Sequence, residues 1–210
     1  MKLAVLLFGI SKIKKYNHWT GNKYYVDYEK SYENYKQFIF DYFESIGYDI
    51  DIYFTTNILH DENKKKLCEK YKPIKYNFIE NKTDNIKSRN EKLDNVIDLC
   101  LNNGLIYDLI LITRFDLLFQ KKFDESNINF DKFNIVSILE RPDLICDNFY
   151  LFPYKYIQIF SNIVKQNLNI PFHNIQNKLY NNLNIKSVNY ILNEKCVVAN
   201  LSFYKIVRII

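Results

Sequence analysis

Two stretches set the limits on how this chain can fold. Residues 2–9, KLAVLLFG, and 107–119, YDLILITRFDLLF, are continuous apolar runs rather than alternating ones. Both are far shorter than the ~20 residues a membrane-spanning helix needs. They suit strands covered on both faces, which is the pattern of a parallel sheet packed between helices. The opening MKLAVLLFGI is followed by SKIKKYNHW with no small-residue cleavage site, so it reads as a first strand rather than a signal peptide.

The segments between these runs supply the helices. Residues 28–46 place Tyr28, Tyr32, Tyr35, Phe38, Ile39, Tyr42, Phe43 and Ile46 at three- and four-residue spacings, and Gly47 closes the pattern, which predicts an amphipathic helix. YDIDIYFTTN (48–57) alternates Ile50, Ile52 and Phe54 on one face as a second strand. A short helix over 61–71, a strand over 75–80 beyond Pro73, and a helix over 85–103 closed by Gly104 follow. Strand and helix thus alternate through the first half, implying right-handed crossovers and a largely parallel sheet. The second half offers strands in FNIVSIL (133–139) and DNFYLFP (147–153), helices near 154–167 and 173–183, and a last strand over 187–200 with a turn near Asn193. The segment from residue 10 to the first helix reads as a polar loop. With 210 residues and no Pro/Gly-rich linker or internal repeat, the expectation is one α/β domain.

Composition excludes some function classes. Hydrophobic residues make up 48% and charged residues 25%, which is a folded rather than a disordered chain. The net charge of +5 comes from short, scattered lysine runs at 12–15, 64–66 and 121–122, a solvated surface rather than a nucleic-acid groove. Cys68, Cys100, Cys146 and Cys196 are widely spaced with no C-x-x-C pair, so neither a zinc site nor a disulfide framework is expected. Reduced thiols fit a cytosol-like compartment.

The run ending YDLILITRFDLLF carries Arg114 and Asp116 where the fourth strand ends. Side chains alternate along a strand, so 114 and 116 point to one side and Phe115 to the other. In open parallel sheets that position faces the ligand crevice. An ion pair or a helix-capping charge is the alternative reading.

KLAVLLFG, NIKSRNEKLDNVIDLCLNNG and YDLILITRFDLLF, taken in order, resemble the small GT-A-fold glycosyltransferases of bacterial polysaccharide synthesis and of large DNA viruses. The resemblance implies a mostly parallel, Rossmann-like sheet with a nucleotide-binding half (about 1–120) and an acceptor half (about 121–210). It implies transfer of a hexose from a nucleotide-sugar donor, a UDP sugar first, to a glycan or glycoprotein acceptor, in the cytoplasm, or the host cytoplasm for a viral chain. The Arg-x-Asp strand end is similar to the D-x-D metal motif of that group, but Arg114 stands where a first Asp would lie, and the departure bears on metal dependence.

On that resemblance Asp116 would hold Mn2+ or Mg2+. Arg114 would bind the diphosphate or a sugar hydroxyl with its planar fork. Phe8, Gly9 and Ile10 would meet the base and ribose. Thr55, Thr56 and Asn57 end the second strand in the same expected crevice and can hydrogen-bond a base. Arg89, one of four arginines in a lysine-rich chain, lies near a helix start where backbone donors and a guanidinium can both meet phosphate.

Asp147 is a candidate base or a second contact to the donor sugar, with Asp143 competing. His173 follows Pro171 at an expected helix start and is a candidate base or phosphate contact. His18 and Trp19 can form an aromatic lid. Two other classes stay open: a sugar-phosphate nucleotidyltransferase, which wants a glycine-rich loop where FGISKIKK has one glycine, and a non-catalytic glycan or nucleic-acid binding module.

Overall fold

The chain is described by a computed structural model covering residues 1–17, 23–82, 84–139, 144–192 and 202–206. Its opening strand β1 (Lys2–Gly9) is buried from Leu3 to Phe8, as a doubly covered strand must be. It lies between β4 (Asp49–Asn57) and β6 (Leu109–Arg114), parallel to both. Beyond β4 comes β5 (Lys75–Ile79), again parallel. On the other side of β6 the sheet continues through β9 (Phe149–Pro153), β8 (Phe133–Ile135) and β10 (Val188–Tyr190), giving the order β10-β8-β9-β6-β1-β4-β5.

The side chains of β1 divide the core in two. Leu3, Val5 and Leu7 face helices α1 (Tyr28–Tyr35), α2 (Asp41–Ser45) and α3 (Asp61–Tyr71), joining Tyr35, Phe43, Leu67 and Tyr71. Ala4, Leu6 and Phe8 face α4 (Asn85–Leu101), α5 (Ile157–Lys165) and α6 (Gln176–Asn182), joining Leu93, Ile97, Phe160 and Leu179. Burial of this continuous apolar surface is the main stabilising contribution. Aromatic rings fill much of it: Phe133 stacks on Phe152 at 4.4 Å between centroids, and Phe160 packs against both.

Local sequence explains the helix ends. The Asp27 side chain accepts from Glu29 N to start α1, and Asp84 accepts from Ile86 N and Lys87 N to start α4. Gly47 takes φ +88 at the turn into β4, a conformation that a side chain would strain.

Two expectations need correction. The segment after β1 is not simply a polar loop: β2 (Lys12–Asn17) and β3 (Lys23–Asp27) pair as an antiparallel hairpin. Short charged strands without alternation carry no periodic signal. The helix expected over 28–46 is interrupted by a π-helical turn, Lys36–Phe40, which rephases its apolar face so that Tyr35, Ile39 and Phe43 are all buried. The sheet is mostly parallel, as expected, with β9 running antiparallel to both β6 and β8. A second small sheet pairs β7 (Leu117–Phe119) with β11 (Tyr204–Ile206), three-residue strands too short to read from sequence. The strand expected over 187–200 begins as β10, while its turn near Asn193 lies outside the described residues.

Both halves of the chain contribute strands to one sheet. Cys68, Cys100 and Cys146 are free thiols. Among the described residues no helix is long and apolar enough to cross a membrane.

Candidate functional site

Strand order reverses between β1 and β6. The chain moves outward from β1 to β4 and β5, then returns through α4 to β6 on the far side of β1. Such a switch point opens a crevice beyond the carboxyl ends of the strands. Phe8 and Arg114 stand opposite each other there in register. Because β9 is antiparallel, its leading residues Asp147 and Asn148 arrive at the same end, and the first turns of α4 bring Arg89.

Arg114 and Asp116 share a side, as alternation requires, and they bind each other. Arg114 Nε donates to Asp116 Oδ1 at 2.8 Å and Nη2 to Asp116 Oδ2 at 2.5 Å, a bidentate fork. Arg114 Nη1 donates to Asn148 Oδ1 at 2.9 Å. Both charged side chains are largely buried, at 18% and 7% exposure. Burial alone would lower the Arg114 pKa; the Asp116 carboxylate, with Asp147 and Tyr204 behind it, more than offsets it, so the net shift is upward and the guanidinium stays charged.

A second ion pair lies beside the first. Arg89 Nη1 donates to Asp147 Oδ2 and Nη2 to the Asp147 carbonyl, both at 2.5 Å. The Arg89 guanidinium also sits over the Phe8 ring, 5.5 Å from its centroid. His173 Nδ1 is 3.9 Å from Asp147 Oδ2, and its ring is the more exposed partner at 39% against 11%. Arg89 Nε is buried and has no hydrogen-bond partner among the described residues.

The turn carrying these groups is held from the other face by α1. Tyr35 Oη donates to the Arg114 carbonyl and accepts from Leu117 N. Ser31 Oγ donates to the Phe115 carbonyl at 2.5 Å. Asn34 Nδ2 donates to the Phe119 carbonyl at 3.0 Å while Asn34 Oδ1 accepts from Phe119 N at 2.7 Å. Beneath the site Asn148 Nδ2 donates to Tyr204 Oη at 3.0 Å, and Tyr204 Oη lies 2.7 Å from Cys146 Sγ. Burial pushes the Cys146 thiol up to about 12, which makes it a packing group rather than a nucleophile.

Phe8, Arg89, Arg114, Asp116, Asp147 and His173 therefore come together. Gly9 ends β1 beside them at φ +100, where a side chain would be strained. Thr55 stands opposite Phe8 in register, but it is fully buried and its hydroxyl is spent on Asn95 Oδ1 of α4, to which it donates at 2.9 Å. Thr56 and Asn57 hold the chain after β1: Ser11 N donates to Thr56 Oγ1 at 3.0 Å and to Asn57 Oδ1 at 3.1 Å. His18, Trp19, Arg141, Asp143 and Cys196 lie outside the described residues.

Asn148 was missed although it adjoins Asp147; the fork it completes on Arg114 joins residues 34 positions apart. Ser31, Asn34 and Tyr35 have the three- and four-residue spacing that marks one helix face, and a serine and asparagine on that face were the legible signal. Tyr204 left none, because its partners are remote in sequence.

A divalent cation at Asp116 is what the D-x-D-like position implies. Magnesium and manganese take several oxygen ligands, with carboxylates free to face the ion. Here both Asp116 oxygens accept from a guanidinium, while Asn148 Oδ1 and Asp147 Oδ2 accept from Arg114 and Arg89. Among the described residues no three His, Cys, Asp or Glu side chains converge. The chelating edge of Asp116 is thus taken by Arg114, which does not fit an ion chelated there.

No family model matches the chain, and no curated protein matches it. Among solved structures, it is similar to a glycosyltransferase involved in the glycosylation of the major capsid of PBCV-1. The identity is 12% and the TM-score 0.48, over 90% of this chain and 81% of that one.

Proposed function

We propose that the protein is a nucleotide-sugar-dependent glycosyltransferase, moving a hexose, from a UDP sugar first, to a hydroxyl of a glycan or glycoprotein. One observation carries the reading: two guanidinium groups and two carboxylates converge at the switch point of the sheet, in a chain that has four arginines. A glycosyl donor of this class leaves as a nucleoside diphosphate, and planar donors aimed at phosphate oxygens are the group that such a departure needs.

In this reading the base and ribose lie over Phe8 and Gly9, and the diphosphate lies against Arg89 and Arg114. As the bond from the anomeric carbon to the diphosphate oxygen breaks, the leaving charge grows next to preorganised N–H donors, which stabilise it more than they do the intact donor. The acceptor oxygen bonds to the anomeric carbon, and its proton passes to the Asp147–His173 pair. His173 is the exposed member and Asp147 the carboxylate that steadies it.

The test is release of UDP or GDP from a panel of nucleotide sugars, without and with glycan acceptors, by wild type and Arg114→Met. Release that is stimulated by an acceptor and lost in the variant supports transfer. A folded protein that releases nothing from any donor, yet binds DNA or RNA with a steep salt dependence, is a binding module instead.

A further inference from the structure

We infer that Asp116 is the carboxylate that fixes the Arg114 fork rather than a ligand for a divalent cation, so that the donor's diphosphate is met by guanidinium groups and binds without metal. The inference rests on the reading of the site as a nucleotide-sugar site. Its observations are independent of that reading.

The geometry of the pair comes first. Asp116 gives one oxygen to Arg114 Nε and the other to Nη2, so the carboxylate and guanidinium planes are matched edge to edge. A cation chelated by both oxygens would stand about 2–2.6 Å from each, on the edge the guanidinium now occupies. It would have to displace a buried partner that Asn148 Oδ1 and the α1 grip on the Arg114 carbonyl hold in place. Displacement would leave a guanidinium beside a divalent ion in a site screened poorly by water.

Unused donors come second. Of the five N–H groups of a guanidinium, Arg114 spends one each on Nε, Nη1 and Nη2, leaving one hydrogen on each terminal nitrogen. Arg89 spends one on each terminal nitrogen, and among the described residues its Nε is a buried donor without an acceptor. The hydrogens left on the terminal nitrogens are where an anionic oxygen entering the crevice would be met.

Charge comes third. Two arginines and two aspartates balance, and the amino terminus of the 17-residue α4, whose first turns carry Arg89, adds a partial positive charge at this end of the crevice. That is the sign a metal would otherwise supply. Lys92, farther along α4, is buried with its ammonium held by the Ser88 carbonyl and hydroxyl.

The experiment is calorimetric titration of the whole protein with UDP and with GDP, once in EDTA and once in millimolar Mn2+, with Mn2+ electron paramagnetic resonance on the same samples. The inference expects one nucleotide to bind in EDTA with a Kd within about threefold of that in Mn2+. It expects no Mn2+ immobilised by the complex. Binding that appears only with Mn2+ overturns the inference and leaves the glycosyltransferase reading standing. Binding of neither nucleotide in either buffer overturns both. Thermal unfolding of Asp116→Asn in EDTA gives a check free of nucleotide. An anchor lost lowers the midpoint, whereas removal of a vacant metal ligand raises it or leaves it unchanged, and that result would also overturn the inference.

Discussion

Tyr35 and Tyr28 are both fully buried tyrosines of the same helix, and they differ in what their hydroxyls do. Tyr35 Oη bridges two main-chain groups of the Arg-x-Asp turn, the Arg114 carbonyl and Leu117 N. Tyr28 Oη has no hydrogen-bond partner among the described residues. Tyr35→Phe strands a buried carbonyl and a buried N–H, each costing about 1–3 kcal/mol, so a loss of about 3 kcal/mol is expected. For a chain of this size that lowers Tm by about 6–12 °C. Tyr28→Phe removes a buried hydroxyl that nothing satisfies, and stability should stay level or rise by about 1 kcal/mol. Urea unfolding followed by far-ultraviolet circular dichroism, with equal m-values required, measures both. Equal losses in the two variants would refute the claim that α1 holds the turn through its backbone.

Lys92→Met tests the buried ammonium by its pH dependence. Burial pushes the Lys92 pKa down to about 8 from 10.5. The unfolded chain therefore binds the extra proton between those values, and wild type should gain stability on the variant as pH rises from about 8 to 10.5, read as the difference in urea midpoints. Thr56→Val leaves the Ser11 amide one of its two acceptors, Asn57 Oδ1, and should cost about 1 kcal/mol, with faster hydrogen exchange at Ser11; an unchanged rate would count against the loop tether. Asp147→Asn keeps a hydrogen-bond acceptor for Arg89 but removes the carboxylate from His173. Transfer should fall by about 100-fold or more while nucleotide affinity changes little, and a loss confined to affinity would remove Asp147 from proton transfer.

Features set by one stretch of chain were legible. The doubly covered β1 and β6 follow from unbroken apolar runs, and the shared side of Arg114 and Asp116 follows from a period of two. The same period, carried one residue past Phe54, turns Thr55 away from the first core and towards α4, so its burial against Asn95 was within reach of the sequence. Features set by remote pairing were not legible. Arg89 and Asp147 each stood out alone, but their partnership spans 58 positions. The reversal of β9 depends on its neighbours β6 and β8 rather than on anything within FYLFP. The hairpin β2–β3 is charged and short, and only pairing defines it.

The grip of α1 on the Arg-x-Asp turn is made wholly to main-chain atoms of residues 114, 115, 117 and 119. Those hydrogen bonds involve neither side chain borne at 114 and 116, so the same backbone path can present different groups there. What restrains the exchange is charge: an acid at 114 would leave Asp116 without its guanidinium and bury a second carboxylate beside it.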